Sequence, residues 1–124
     1  MSGLSDAFHL LILTQIQQQA IQSQKQLSIV RAQIQSKEKE KKILSLTVRE
    51  LDTVPRDGVM YKGVGKMFIQ QDRKEVDSEH STQEKQLNDD LSNLTKKSKY
   101  LEKQFDEANS QLKDIFHSQQ RQAA

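Results

Sequence analysis

The feature that most constrains this chain is a seven-residue repeat of apolar side chains in its first half. Alternate steps of three and four residues lead from Leu13 to Leu51 through twelve positions, of which nine are apolar. These positions are Leu13, Ile16, Ala20, Ser23, Leu27, Val30, Ile34, Lys37, Lys41, Leu44, Val48 and Leu51. A spacing of about 3.5 residues, uninterrupted by Gly or Pro, is typical of the seam along which coiled-coil helices meet. We therefore expect one long helix over about residues 4–51.

A second repeat of the same kind occupies the last third of the chain. It passes through Leu87, Leu91, Leu94, Ser98, Leu101, Phe105, Ala108, Leu112 and Ile115. Extended backwards it reaches Glu84, His80 and Asp77, which are polar. The pattern predicts a helix over about residues 72–119 that packs loosely at its start. At 1.5 Å per residue, each helix is about 70 Å long.

Composition excludes several other classes of protein. Only 34% of the residues are apolar and 5% are aromatic, whereas globular domains are nearly half apolar. The net charge of +2, from 19 basic and 17 acidic residues, lacks the basic excess of a nucleic-acid binder. No run approaches the roughly 18 apolar residues of a membrane span, and the N-terminal apolar run lacks the basic start of a signal peptide. Cysteine is absent, so no disulfide scaffold is possible.

The segment GVMYKGVGKMFIQQD, residues 58–72, differs from its polar surroundings. It holds three of the four glycines and follows the only proline, Pro55. Residues 59–62 and 66–69 have the composition of strands, and a three-residue loop at residues 63–65 is expected to join them. In that register Lys62 opposes Lys66. One apolar face then collects Val59, Tyr61, Met67 and Ile69.

The predicted fold is all-α with a small β-hairpin: a long antiparallel two-helix coiled coil, with the hairpin as its connector. An isolated two-stranded hairpin is marginal in water, and this one has two open edges. We therefore expect the hairpins of several subunits to pair with one another. The predicted assembly residues are Val59, Met60, Tyr61, Val64, Gly65, Met67, Phe68 and Ile69. The alternative is a local hairpin that caps a monomeric coiled coil.

The run YKGVGKMFI, residues 61–69, resembles the hairpin of the β-type subunits of prefoldin, and KKSKYLE, residues 96–102, adds to the resemblance. One departure is the polar stretch 70–86, in which Val76 is the only aliphatic residue. The resemblance implies a cytoplasmic hexamer of two α-type and four β-type subunits, whose hairpins form a β-barrel base. It implies a co-chaperone that needs no ATP or other cofactor, captures unfolded clients such as actin and tubulin, and passes them to the cytosolic chaperonin.

The two chain ends carry more apolar residues than one seam requires. In residues 7–16 the seam needs only Leu13 and Ile16, and the second helix adds Phe116 beside Ile115. Excess apolar surface at the tip of a coiled coil is a candidate contact for unfolded chains. The predicted contact residues are Leu4, Phe8, Leu10, Leu11, Ile12, Ile115 and Phe116. A wider local seam, or fraying ends, would explain the same residues without a binding function.

Other signals are weaker. The glycines at 58 and 63 have the spacing of a phosphate loop, but Val64 stands where that motif needs Lys. The three histidines are scattered, so we expect no metal site, and no catalytic arrangement is apparent. The run KEKEKK, residues 37–42, is typical of a solvated helix face, although its basic excess could attract acidic clients. A structural coiled-coil tether is the main alternative function, and an RNA-gripping arm is disfavoured by the apolar tip.

Overall fold

The computed structural model describes residues 2–123, except the side chains of Ser2, Leu4 and residues 119–123. Two helices flank one hairpin, in the order α1 (Ser2–Leu51), β1 (Met60–Val64), β2 (Met67–Gln71) and α2 (Arg73–Ala123). The chain divides into two compact units. Unit 1 takes its described residues from Met1–Gln33 and Leu94–Ala124, and unit 2 is Ile34–Asn93.

In unit 1 the two helices bury the heptad positions against each other. The buried residues are Ala20, Ser23, Leu27, Val30, Ser98, Leu101 and Ala108. All of them belong to the two predicted repeats. Arg31 Nη2 lies 3.1 Å from Glu102 Oε1 and links the helices. Both side chains of that ion pair are about half exposed, so the apolar seam stabilises this unit far more than the pair does.

Unit 2 is packed more loosely. Leu87 is its buried apolar residue, whereas Lys41 and Val48, two predicted seam positions, are exposed. Two grooves of about 450 and 250 Å³ both touch Leu44. Lys37 Nζ lies 3.5 Å from Asp90 Oδ2 across the seam. The polar seam positions predicted this loose stretch, because charged side chains cannot fill the space between two helices as Leu does.

The start of α2 differs from the backward extension of the repeat. Val76 and His80 are half-buried, whereas Asp77 and Glu84 are exposed. The backward extension therefore fails at Asp77, and Val76 lies at the seam instead, where it lines a groove together with Leu51 and Val54. Arg73 also turns inward: its Nε lies 3.1 Å from Asp77 Oδ1 and its Nη2 3.4 Å from Asp52 Oδ1.

A tight turn leads from α1 into the hairpin. The Gly58 N–H donates to the Pro55 carbonyl at 2.8 Å. A Cβ on residue 58 would lie 2.9 Å from that same oxygen, so a larger residue would force the turn open. The turn that follows the end of α1 thus lies at Pro55 and Gly58, as these two residues predict.

The hairpin register is the main correction to the sequence prediction. Val64 pairs with Met67, and Lys62 pairs with Ile69. The loop therefore has two residues, Gly65 and Lys66, and the predicted three-residue loop at residues 63–65 is wrong. Gly65 has φ 61°, which suits the first central position of a type II′ turn. Such a turn matches the right-handed twist of the strands, which explains why it wins over the longer loop.

Candidate functional site

The observed register sorts the hairpin residues onto two faces, because directly opposed residues point to the same side of a sheet. The first face carries Met60, Lys62, Val64, Met67, Ile69 and Gln71. The second, here called the aromatic face, carries Tyr61, Gly63, Phe68 and Gln70. Tyr61 is therefore not on the face of Met67 and Ile69, and the single apolar face expected from the sequence is wrong. Lys62 pairs with Ile69 instead of Lys66, a shift of three residues, and any odd shift of register moves side chains to the opposite face.

The first face is tied to α2 through Glu79. Gln71 Nε2 donates a hydrogen bond to Glu79 Oε1 at 3.0 Å, and Lys62 Nζ lies 3.5 Å from Glu79 Oε2. The hydrogen bond from Gln71, followed by the positive charge of Lys62, lowers the pKa of Glu79 below its ordinary value. Both partners favour the ionised carboxylate, so together they orient the hairpin against the helix.

The aromatic face is open. Phe68 is 77% exposed and Tyr61 is 64% exposed. Atom Cε1 of Phe68 lies 3.7 Å from the place where a Cβ on residue 63 would stand, so the ring lies over the glycine. The ring's outer surface remains available. Two exposed aromatic side chains on so small a sheet form an apolar surface of the kind that binds another protein.

Both edges of the hairpin are open as well. The sheet consists of β1 and β2 alone in the described part of the chain. In a two-residue hairpin the pair that flanks the turn, here Val64 and Met67, is hydrogen-bonded. The alternation of the antiparallel ladder then directs the backbone groups of Tyr61 and Gly63 outward from β1, and those of Phe68 and Gln70 outward from β2. Each edge can accept a further strand.

In unit 1 the first turns of α1 and the last turns of α2 also carry exposed apolar side chains. Phe8, Leu10, Leu11 and Phe116 are exposed, whereas Ile12 and Ile115 are half-buried. The side chain of Leu4 lies outside the described residues. A groove of about 710 Å³ runs between the two helices, with Leu10, Leu13 and Ile115 as its apolar lining. The structure thus brings the two predicted ends together around one cleft.

The structure also shows exposed aliphatic residues on α1 that the sequence reasoning missed. They are Ile21, Ile29, Ile43 and Leu46. None of them occupies a predicted seam position. Marking apolar residues at the outward positions of the heptad would have found them, because a helix buried on one side has no structural need for them there.

The described residues offer no group of His, Cys, Asp or Glu side chains that could hold a metal ion. Within residues 2–123 neither helix is long and apolar enough to cross a membrane.

Two long helices joined through a two-stranded hairpin with open edges define a class of protein, the coiled-coil subunit with a β-hairpin connector. Within that class the chain belongs to the prefoldin subunits, since residues 14–119 match the family described as "Prefoldin subunit". A "Probable prefoldin subunit 1" of Schizosaccharomyces pombe is 35% identical over 86% of this chain and 96% of its own length. The "Prefoldin subunit 1" of Homo sapiens is 28% identical over 88% of this chain and 89% of its own.

The fold agrees with a solved structure. The crystal structure of the prefoldin beta subunit from Thermococcus strain KS-1 superposes with a TM-score of 0.76, covering 82% of this chain and 90% of that one, at 24% identity. Two long helices with a two-stranded hairpin between them are therefore the fold predicted from the sequence. Membership of the family makes this chain a subunit of a chaperone that assembles with other prefoldin subunits, in a family that is not enzymatic.

Proposed function

We propose that the chain is a β-type subunit of a hexameric, ATP-independent co-chaperone in the cytoplasm. The complex captures unfolded proteins, with actin and tubulin as its main clients, and transfers them to the cytosolic chaperonin. The observation that carries the proposal is the hairpin: it has two open edges and an exposed aromatic face in a chain of the prefoldin family. The relatives named prefoldin subunit 1 support the proposal that this chain occupies the position of subunit 1 in the complex.

Assembly is assigned to the hairpin. The predicted assembly residues Val59, Tyr61, Val64, Met67, Phe68 and Ile69 are exposed, and Met60 is half-buried. Gly65 contributes by forming the turn that sets the register. Neighbouring strands would add to the edges through backbone hydrogen bonds, while the aromatic face is covered by apolar side chains of the neighbours.

Client capture is assigned to the chain ends in unit 1. Unfolded proteins expose apolar side chains, and the groove beside Leu10 and Ile115 offers an apolar lining of matching chemistry. Polar side chains, those of Asp6, His9 and Asp114, border this apolar lining. Phe8, Leu11 and Phe116 extend the exposed apolar surface around this end of the unit.

Reconstitution with α-type subunits tests both assignments. Light scattering should give the mass of a hexamer, and the hexamer should suppress the aggregation of unfolded actin without ATP. Removal of residues 1–12 should leave the hexamer intact and weaken the suppression. Full suppression by the truncated hexamer would refute the client-contact residues.

A matched pair of variants separates client contact from a general loss of apolar surface. Leu10→Ser with Leu11→Ser should weaken suppression. Leu10 lines the groove, and Leu11 is the exposed residue that follows it. Ile21→Ser with Ile29→Ser removes two comparably exposed aliphatic side chains from the same helix and should have no effect. A hexamer that assembles but never holds an unfolded protein would instead indicate a structural tether.

A further inference from the structure

The outer face of α1 in unit 2 combines aliphatic and basic side chains. Ile43 is 55% exposed and Leu46 is 49% exposed, and Lys39, Lys42 and Arg49 are exposed around them. At 100° per residue these five positions fall within an arc of about 120° and extend over about 15 Å of helix. We call this set of five residues the basic–aliphatic face.

The basic side chains of this face differ from Lys37 in their ion pairing. Lys37, at the start of the same run, pairs with both Glu40 and Asp90. Among the described residues, by contrast, neither Lys39, Lys42 nor Arg49 takes part in an ion pair. The single carboxylate on this arc, that of Glu50, leaves the face with a net positive charge.

A groove borders the face on one side. It has a volume of about 450 Å³, and Ile43 forms part of its wall while Leu44 and Leu87 give it an apolar floor. It exists because the seam of unit 2 is loosely packed, so an incoming aliphatic side chain could enter without displacing a packed one. The groove itself carries a carboxylate on each wall, Glu40 on α1 and Asp90 on α2, and both lie within 4 Å of Lys37. The carboxylates of a ligand would therefore lie outside the groove, beside Lys39 and Lys42, while its aliphatic side chains enter it.

We propose that the basic–aliphatic face binds an acidic amphipathic segment of a partner protein. Its aliphatic side chains pack on Ile43 and Leu46 and into the adjoining groove, while its carboxylates pair with Lys39, Lys42 and Arg49. A nucleic acid fits less well, because the face offers no aromatic side chain for base stacking and its centre is occupied by aliphatic side chains. A membrane surface fits less well too, because two aliphatic side chains bury little area in a lipid interface. The site is separate from the hairpin and from the chain-end groove, so it does not rest on the proposed function.

Fluorescence anisotropy of the full chain with a labelled probe tests the proposal. The probe is a synthetic amphipathic peptide of Leu, Ala and Glu, and the comparison peptide has every Glu replaced by Gln. We expect saturable binding of the Glu peptide that weakens with added salt, and weaker binding of the Gln peptide. No binding of the Glu peptide up to about 1 mM would overturn the proposal, as would tighter binding of polyuridylate or of phosphatidylserine vesicles.

Neutralising the three basic residues should weaken peptide binding about tenfold, because exposed ion pairs are individually weak but three of them are lost together. The variant is Lys39→Gln with Lys42→Gln and Arg49→Gln. Its matched control neutralises three other exposed lysines, Lys96→Gln, Lys97→Gln and Lys99→Gln, and should bind as the original chain does. Equal losses in the two triple variants would mean that only net charge matters, which would overturn the proposal.

The aliphatic contribution has its own variant. Ile43→Ser with Leu46→Ser should weaken the peptide about tenfold without changing the helix content seen by circular dichroism. Ile21→Ser with Ile29→Ser serves as the control on the same helix and should leave binding unchanged. Light scattering of the same variants mixed with α-type subunits separates this proposal from the proposed function. A variant that loses peptide binding but still forms a complex of unchanged mass has lost the basic–aliphatic face alone.

Discussion

Replacement of Phe68 by Asp should separate folding of the chain from assembly of the complex. Phe68 is 77% exposed in the single chain. A Phe side chain offers about 150–250 Å² for burial, so roughly 120–190 Å² remains for neighbouring subunits to cover. At about 25 cal/mol per Å² that area stabilises the assembly by about 3–5 kcal/mol for each hairpin. The part already covered within the chain is worth only about 1 kcal/mol.

Phe68→Asp should therefore weaken association with partner subunits by a hundredfold to several thousandfold, before the cost of burying a carboxylate is added. Circular dichroism should show helix content close to that of the original chain. Sedimentation or light scattering with α-type partners gives the association, and urea unfolding gives the stability of the chain alone.

Tyr100→Asp is the matched control. Tyr100 is 61% exposed on α2 in unit 1 and is likewise an aromatic residue replaced by a charge. It should leave assembly unchanged. Assembly that survives Phe68→Asp, or that fails equally in both variants, would refute the assignment of the aromatic face to subunit contacts.

The remaining predictions concern the coiled coil and the hairpin. Leu27→Ala should lower the free energy of unfolding in urea by about 2–3 kcal/mol, because Leu27 is 5% exposed. Leu44→Ala should lower it by about 1 kcal/mol, because Leu44 borders two grooves. Equal losses would contradict the looser packing of unit 2. Gly65→Val should destabilise the hairpin by about 1–2 kcal/mol, since φ 61° is unfavourable for a β-branched residue, and NMR shifts of the strand amides would reveal an altered register. The pKa of Glu79 is lowered in the folded chain, so its ionised form stabilises the hairpin above the ordinary pKa of 4.5 and loses that effect as pH falls through the lowered value. The protection of the β2 amides, measured as their exchange rate relative to the intrinsic rate at each pH, should fall over that acid range, and Glu79→Gln should abolish this pH dependence. An unchanged protection profile would argue against the contact with Lys62 and Gln71.

The sequence by itself determined the two helices and their seam. Leu27, Val30, Leu101 and Ala108 were assigned to the seam by spacing alone, and all four are buried. Spacing suffices here because a helix fixes its side-chain directions by local geometry, so one face repeats every seven residues whatever the partner is. The same local logic placed a hairpin after Pro55 and predicted loose packing where Lys37 and Lys41 enter the seam.

Only the tertiary structure decided the register of the hairpin and the first turn of α2. Several loops fit the glycines at 63 and 65, and the turn at Gly65 and Lys66 prevails because it matches the strand twist. That choice moved Tyr61 to the face of Phe68 and away from Met67. At the start of α2, Val76 displaces the predicted Asp77 from the seam, since the helix begins directly after β2 and its rotation is set by that connection. Turn geometry and helix rotation depend on both flanking elements at once, so no periodic pattern in a single segment encodes them.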